Sequence, residues 1–290
     1  MYKFFNYSGS KAYIKYIKFI NDFLEDKDRQ IYIEPFVGSG GVLFNLEKKF
    51  ERYIINDADR NIIRIYKSFG EISNYGEYSD IVNDVFNEFG EFVIDGRYCS
   101  ELVREKTKNN YYNFRNWFNK NQWCTDSFEE GIYLHILASS CLNSFLRFGK
   151  NGMNQSFGNR FHQFPKPNFD KITSIIKKCE IYNEDYSILL RDEFNDEGFF
   201  FLDPPYHSQD SSYLGFDIDS FLMFLERVKK LNCYIYTDIL NEYNDFFEHK
   251  YFIQNMKNTS PNRKENKTIN DEYMFTSSKY VYNYSLENFM

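Results

Sequence analysis

Short apolar β-forming runs alternating with amphipathic helical stretches predict an α/β fold built on a mainly parallel sheet covered on both faces. The strand signal lies in residues 31–33, 53–55, 199–202 and 234–236, each a β-branched or aromatic run bounded by polar or turn residues. The helical signal lies between them. Residues 11–24 place Tyr13, Ile14, Ile17, Ile20 and Leu24 on one face, and residues 221–231 do the same with Phe221, Leu222, Leu225 and Val228. A third observation supports the parallel arrangement: residues 199–202 are apolar at every position, as a strand buried on both faces requires.

Residues 70–170 break this rhythm. The segment reads as helical and polar first, then as a Gly-, Asn- and Pro-rich loop over 143–168, and it is expected to be an insertion into a sheet domain formed by 1–69 and 171–290. Residues 271–284 read as closing strands or a hairpin. A chain of 290 residues suits one large domain or a domain carrying such an insertion.

Composition narrows the classes. The high aromatic share, 20%, reads as compositional drift toward AT-rich codons rather than as a stacking surface. The five cysteines form no C-x-x-C pair, which gives no support to a zinc site or a disulfide framework and fits a reducing cytoplasm. The four histidines show no ligand spacing, so no metal is expected. Neither a signal segment nor a run of ~18 apolar residues suggests a membrane. A net charge of −7 counts against a protein that coats nucleic acid. Two basic stretches stand out locally. One holds Arg147, Lys150, Arg160, Lys166 and Lys171 with Asp170 as its only acid, and the other covers residues 257–267; each equally fits a solvated loop.

The first chemical motif is Glu34-Pro35-Phe36-Val37-Gly38-Ser39-Gly40-Gly41, a buried strand entering a glycine turn, with a helix expected from near Val42. Leu43 occupies the third glycine position of a dinucleotide fingerprint, which weakens that reading, and a plain strand-to-helix loop also fits. Asp57 lies about 20 residues beyond the first glycine, at the end of the next strand, where a carboxylate can accept from ribose hydroxyls. A helix N-cap is the alternative role for it.

The most informative segment is Asp203-Pro204-Pro205-Tyr206, delivered by the apolar strand to the sheet edge where open α/β folds bind ligands. A carboxylate beside a rigid backbone carbonyl suits a weak amine nucleophile such as the exocyclic nitrogen of adenine, whose lone pair is delocalised into the ring. The Asp203 side chain and the Pro204 carbonyl can each accept one N–H, the prolines hold that carbonyl in place, and Tyr206 can stack on the base.

Taken in order, these blocks resemble the Dam-type DNA adenine methyltransferases, including their phage members. The resemblance runs over about residues 5–240. It starts at Tyr7-Ser8-Gly9-Ser10-Lys11, passes through the glycine turn and Asn56-Asp57, and adds two further blocks before closing on Asp203-Pro204-Pro205-Tyr206. Those blocks are Cys141-Leu142-Asn143-Ser144-Phe145-Leu146-Arg147-Phe148 and Asn151-Gly152-Met153-Asn154-Gln155-Ser156-Phe157-Gly158. The resemblance implies a Rossmann-like S-adenosylmethionine-dependent methyltransferase sheet with an inserted, mostly helical target-recognition domain at 70–170. Tyr7, Lys11, Glu34, Phe36, Gly38, Gly40, Asp57 and Asp203 then fall on cofactor-binding positions. Asn143, Arg147 and Asn154 fall on the part that contacts double-stranded DNA, from which the target adenine must be flipped out.

Such a family also admits a cognate restriction endonuclease as partner. Two departures are visible: Thr237-Asp238 replaces the family's usual serine-asparagine pair, and Leu142 stands where many members carry an aromatic residue. Cytosine carbon-5 chemistry is disfavoured because no cysteine follows a proline. RNA adenine methylation, DNA cytosine amine methylation and a catalytically silent DNA-binding relative remain as alternatives.

Overall fold

The computed structural model describes residues 1–2, 4–5, 10–92, 100–121, 128–142, 146–158, 164–204, 218–239, 247–257 and 269–278. Its helices are α1 (Ile14–Leu24), α2 (Arg60–Glu71), α3 (Tyr75–Phe89), α4 (Glu101–Asn121), α5 (Phe128–Ser140), α6 (Lys166–Ile176) and α7 (Ile218–Val228). Its strands are β1 (Ile31–Glu34), β2 (Arg52–Asn56), β3 (Phe148–Gly149), β4 (Gly152–Met153) and β5 (Cys179–Tyr182), then β6 (Gly198–Leu202), β7 (Tyr234–Ile239), β8 (His249–Lys257) and β9 (Ile269–Thr276). The chain divides into two compact units, one of residues 1–13, 38–45 and 59–183, the other of residues 14–37, 46–58 and 184–290.

The second unit is built on strands in the order β2-β1-β6-β7-β9-β8. The first four are parallel, while β9 runs antiparallel to both β7 and β8. The mainly parallel sheet expected from the sequence is therefore present, and the C-terminal hairpin supplies its closing strands. Every residue of β1 and β6 is buried, which explains their continuous apolar character. One face is covered by α1, where Phe23 meets Phe199 and the Tyr16 hydroxyl donates to Glu272. The opposite face is covered by α7 through Phe224 and Tyr236.

Two helical expectations are corrected. The first helix begins at Ile14, and its buried stripe is Tyr16, Phe19, Ile20, Phe23 and Leu24 with Ile17. Of the expected face, Ile17, Ile20 and Leu24 are buried, while Tyr13, which precedes the helix, and Ile14, its first residue, stay 56% and 55% exposed. The helix expected from Val42 is a single 3₁₀ turn over Leu43–Asn45. Asn45 ends it: its side chain donates to the carbonyls of Gly41 and Tyr2 and accepts from the Tyr2 amide, competing with helical bonds.

The first unit is mostly helical. Asp59 caps α2 by accepting from the Asn61 amide at 2.9 Å, so the capping role considered for Asp57 belongs to Asp59. Asn74 caps α3, and Gly90 at φ 81° ends it. The nearly all-buried α5 lies against α2, with Gly131 at the contact: a Cβ there would overlap the Arg64 carbonyl and the Ser68 hydroxyl. The same contact carries the Arg64–Glu130 ion pair at 3.1 Å. Around Phe4 gather Phe44, Tyr66, Phe69, His135 and Phe164, the aromatic core of this unit.

Candidate active site

In the second unit the strand register gathers acidic groups at the carboxyl ends of the parallel strands. Tyr32 pairs with Tyr53 and with Phe199, Glu34 pairs with Ile55, and Phe201 pairs with Ile235. Side chains alternate along each strand, so Glu34, Asp57, Asp203 and Thr237 all belong to the face that α1 covers. Glu34, Asp57 and Asp203 lie at or just past the ends of their strands, where open parallel sheets take their ligands, and Thr237 lies within β7 beside Asp203.

Glu34 is buried and accepts from the Tyr32 hydroxyl at 2.7 Å. Burial pushes its carboxyl well above the usual carboxylate range. The Tyr32 bond opposes that rise, while the negative charges of Asp203 and Asp57 add to it. The electrostatic coupling places the three carboxylates in one neighbourhood. Asp57 is half-buried and follows Asn56, which is 1% exposed. Asn56 clamps the strand ends, donating to the carbonyls of Pro35 and Glu184 at 3.0 Å each and accepting from the Glu184 amide at 2.9 Å. The Val37 amide reaches the Asn56 carbonyl at 2.9 Å.

Asp203 is half-buried at the end of β6, with Pro204 buried after it. Its Oδ1 accepts from the Thr237 hydroxyl at 2.6 Å. Phe36, half-buried, lies 5.5 Å from the Tyr186 ring and 5.8 Å from that of Phe224. Asp185 is exposed and accepts from the Ser187 amide, a capping role rather than a place in this cluster.

The first unit holds the glycine turn. Gly38 and Gly40 have φ of 49° and 67°, a region that favours glycine, and a Cβ on Gly40 would meet Phe44 and the Tyr66 hydroxyl. Against this turn lies the segment carrying Lys11. The Ser39 hydroxyl donates to that of Ser10 at 3.1 Å, and a Cβ on Gly41 would come within 2.8 Å of the Ala12 nitrogen. Lys11 is buried, where a surface lysine would be the ordinary outcome for a residue of its type.

The β3–β4 hairpin, also in this unit, presents Arg147 on its exposed side. Its Nε donates to Asn154 Oδ1 at 2.9 Å and its carbonyl accepts from the Asn154 amide at 3.0 Å, so the two expected DNA-contacting residues are tied across the hairpin. Helix α4 grips the hairpin from behind. Asn119 exchanges two bonds with the Met153 backbone at 2.8 Å each, and Arg115 and Tyr111 both donate to the Gln155 carbonyl. Leu142, the departure noted at an aromatic position, is 46% exposed.

Tyr7, Asn143, Pro205 and Tyr206 lie outside the described residues. Sequence reasoning noted Thr237 only as a departure from the family pattern and did not read Tyr32; in the structure Tyr32 donates to Glu34 and Thr237 to Asp203. Tyr32 stands two residues before a strand-end carboxylate on the same face of its strand, which was the available signal for it. Among the described residues no helix is long and apolar enough to cross a membrane.

A parallel sheet that brings carboxylates to the ends of adjacent strands, with a glycine turn following the first of them in sequence, defines an α/β fold that takes a ligand at its strand ends. The sequence profile of the D12 class N6 adenine-specific DNA methyltransferase family matches residues 7–221, and the chain belongs to that family. It is similar to the Type II methyltransferase M.MjaIII of Methanocaldococcus jannaschii, with 29% identity over 260 residues that cover 84% of each chain. It is also similar to the Type II methyltransferase M.CviBI of Paramecium bursaria Chlorella virus NC1A, with 24% identity over 212 residues covering 71% of this chain and 70% of that one. The chain is an adenine-specific DNA methyltransferase, and DNA is its substrate.

Proposed function

We propose that the chain uses S-adenosylmethionine to methylate the exocyclic amine of an adenine flipped out of double-stranded DNA at a specific short site, with Asp203 as the acceptor that activates the amine. The observation that carries this reading is the Asp203 carboxylate anchored at the end of β6 in the company of Glu34 and Asp57. The donor set fits the cofactor: a sulfonium cation is stabilised by nearby carboxylates and by an aromatic face such as Phe36, and ribose hydroxyls find an acceptor in Asp57. Lys11, Glu34, Phe36, Gly38, Gly40, Asp57 and Asp203 are the residues assigned to it, with Tyr7 assigned on sequence grounds.

When bound, S-adenosylmethionine would supply an electrophilic methyl group to the amine, with its thioether as the leaving group. The residues of the chain do the rest. Asp203 accepts one N–H of the amine and the Pro204 carbonyl accepts the other, which favours a pyramidal nitrogen with its lone pair directed outward. The proton released on methylation leaves through the carboxylate side of this pair. On sequence grounds Pro205 is assigned to hold the carbonyl in place and Tyr206 to stack on the purine. Arg147, with Asn143 and Asn154, contacts the DNA, and residues 70–170 serve as the target-recognition region beside a catalytic domain of 1–69 and 171–290.

The names of the two relatives support a restriction-modification setting, in which a cognate endonuclease cuts the same unmethylated site. Cys141, Cys179 and Cys233 are thiols rather than disulfide partners, which suits work in a reducing cytoplasm. Expression in a host lacking DNA methylation, followed by mapping of methylated adenines, tests the reading. N6-methyladenine at one short motif, lost with Asp203→Ala, is the expected result. Methylated cytosine amines, methylation confined to RNA, or no methylation with intact folding would overturn it.

A further inference from the structure

We propose that Thr237 is the positioning residue for Asp203, a role that rests on the assignment of Asp203 as the acceptor of the adenine amine. Thr237 lies in β7 and is fully buried, yet it carries a hydroxyl among the apolar side chains of the sheet. A buried hydroxyl without a partner costs about 1–3 kcal/mol, so its place in the strand depends on what it bonds. It donates to Asp203 Oδ1 at 2.6 Å, a charge-assisted bond of the short and strong kind.

The register explains why these two residues meet. Leu202 pairs with Tyr236 in the parallel β6–β7 ladder, so the next residue on each strand, Asp203 and Thr237, stand side by side on the same face. Asp203 is the first residue beyond β6. Thr237 lies inside β7, where it pairs with Met274 of β9.

The rigid partner thus fixes the less rigid one. With Oδ1 anchored, rotation of the carboxylate about its Cβ–Cγ bond is set before substrate arrives, and the direction of its other lone pairs is set with it. The β-branch of threonine adds to this by restricting χ1 within a strand. Valine has the same shape and an equal preference for strands, so the hydroxyl is the feature that packing alone does not call for.

The test compares Thr237→Val, Thr237→Ser and Asp203→Ala in the full chain, reading kcat and KM for duplex DNA together with S-adenosylmethionine affinity by calorimetry. Thr237→Val is expected to lower kcat on the order of 10- to 100-fold while KM and cofactor affinity stay within about twofold. Thr237→Ser, which keeps the donor, is expected to recover most of that loss. Should Thr237→Val fail to fold, Thr237→Ala read against Thr237→Ser gives the same comparison.

An unchanged kcat in Thr237→Val while Asp203→Ala is inactive would overturn the positioning role and leave the Asp203 assignment standing. Equal losses in Thr237→Val and Thr237→Ser would also overturn it, by assigning the effect to packing. Full activity in Asp203→Ala would overturn the Asp203 assignment itself.

Discussion

Glu34 and His135 give the protein opposite responses to pH, because burial disfavours whichever form of a group is charged. His135 is fully buried, its Nε2 donates to the Phe4 carbonyl at 3.1 Å, and burial lowers its pKa from 6.5 to about 4 against that hydrogen bond. Below pH 6.5 the unfolded chain takes up a proton that the folded chain refuses, so stability falls as pH drops from 6.5 toward 4, by about 3 kcal/mol in the limit. Glu34 acts the other way. Its folded pKa lies above 4.5, so its contribution is greatest in acid and is lost as pH rises from 4.5 through the folded value. Urea unfolding between pH 4 and 7 separates the two. His135→Gln should flatten the loss of stability on the acid side, and Glu34→Gln should remove the loss that accompanies rising pH; a variant that leaves the profile unchanged would show that its group does not titrate in this way.

At the scale of elements, two contacts in the helical unit depend on single residues. Gly131 lets α5 approach α2, and a methyl group there must push against the Arg64 carbonyl, a backbone atom that cannot swing aside. Gly131→Ala is therefore expected to cost roughly 2–3 kcal/mol in a denaturation experiment, despite the better helix propensity of alanine. Asn119 clamps β4 through both its amide atoms, so Asn119→Ala should speed hydrogen exchange at the Met153 amide and lower DNA affinity while cofactor binding is unchanged. These contacts also mark the limit of what the sequence made legible. The parallel strands were readable because a strand buried on both faces is apolar throughout, as in β6. Strand β8 was not, because its pairing is with β9 alone and its residues mix Lys, Gln and Asn with aromatics. The buried face of α1 was legible in Ile17, Ile20 and Leu24 but not at its start, where Tyr13 precedes the helix and Ile14 opens it, both exposed. Among the expected site residues, Asp57 and Asp203 were read as carboxylates at strand ends, and Glu34 came with the family resemblance. The bond of Thr237 to Asp203 was not legible, because it depends on β7 lying next to β6, whereas Tyr32 reaches Glu34 within one strand.

For the whole molecule, a net charge of −7 sets a constraint on how DNA is held. Affinity must come from local cations, and its salt dependence reports how many phosphates they neutralise. On the proposed reading Lys150, exposed at the tip of the hairpin, meets backbone phosphate, whereas Arg147, bonded to Asn154, reads a base. Lys150→Ala should reduce the slope of log affinity against log salt by about 1 and leave the methylated motif unchanged. Arg147→Ala should relax the motif itself at one position, visible on sequencing the methylated sites. The account as a whole stands on one carboxylate acting on one amine, and single-turnover transfer of labelled methyl from S-adenosylmethionine to a duplex carrying the mapped site measures that directly. Asp203→Ala should slow this step by on the order of 10³-fold at saturating cofactor and DNA. A rate within a few-fold of the unaltered protein would contradict the account.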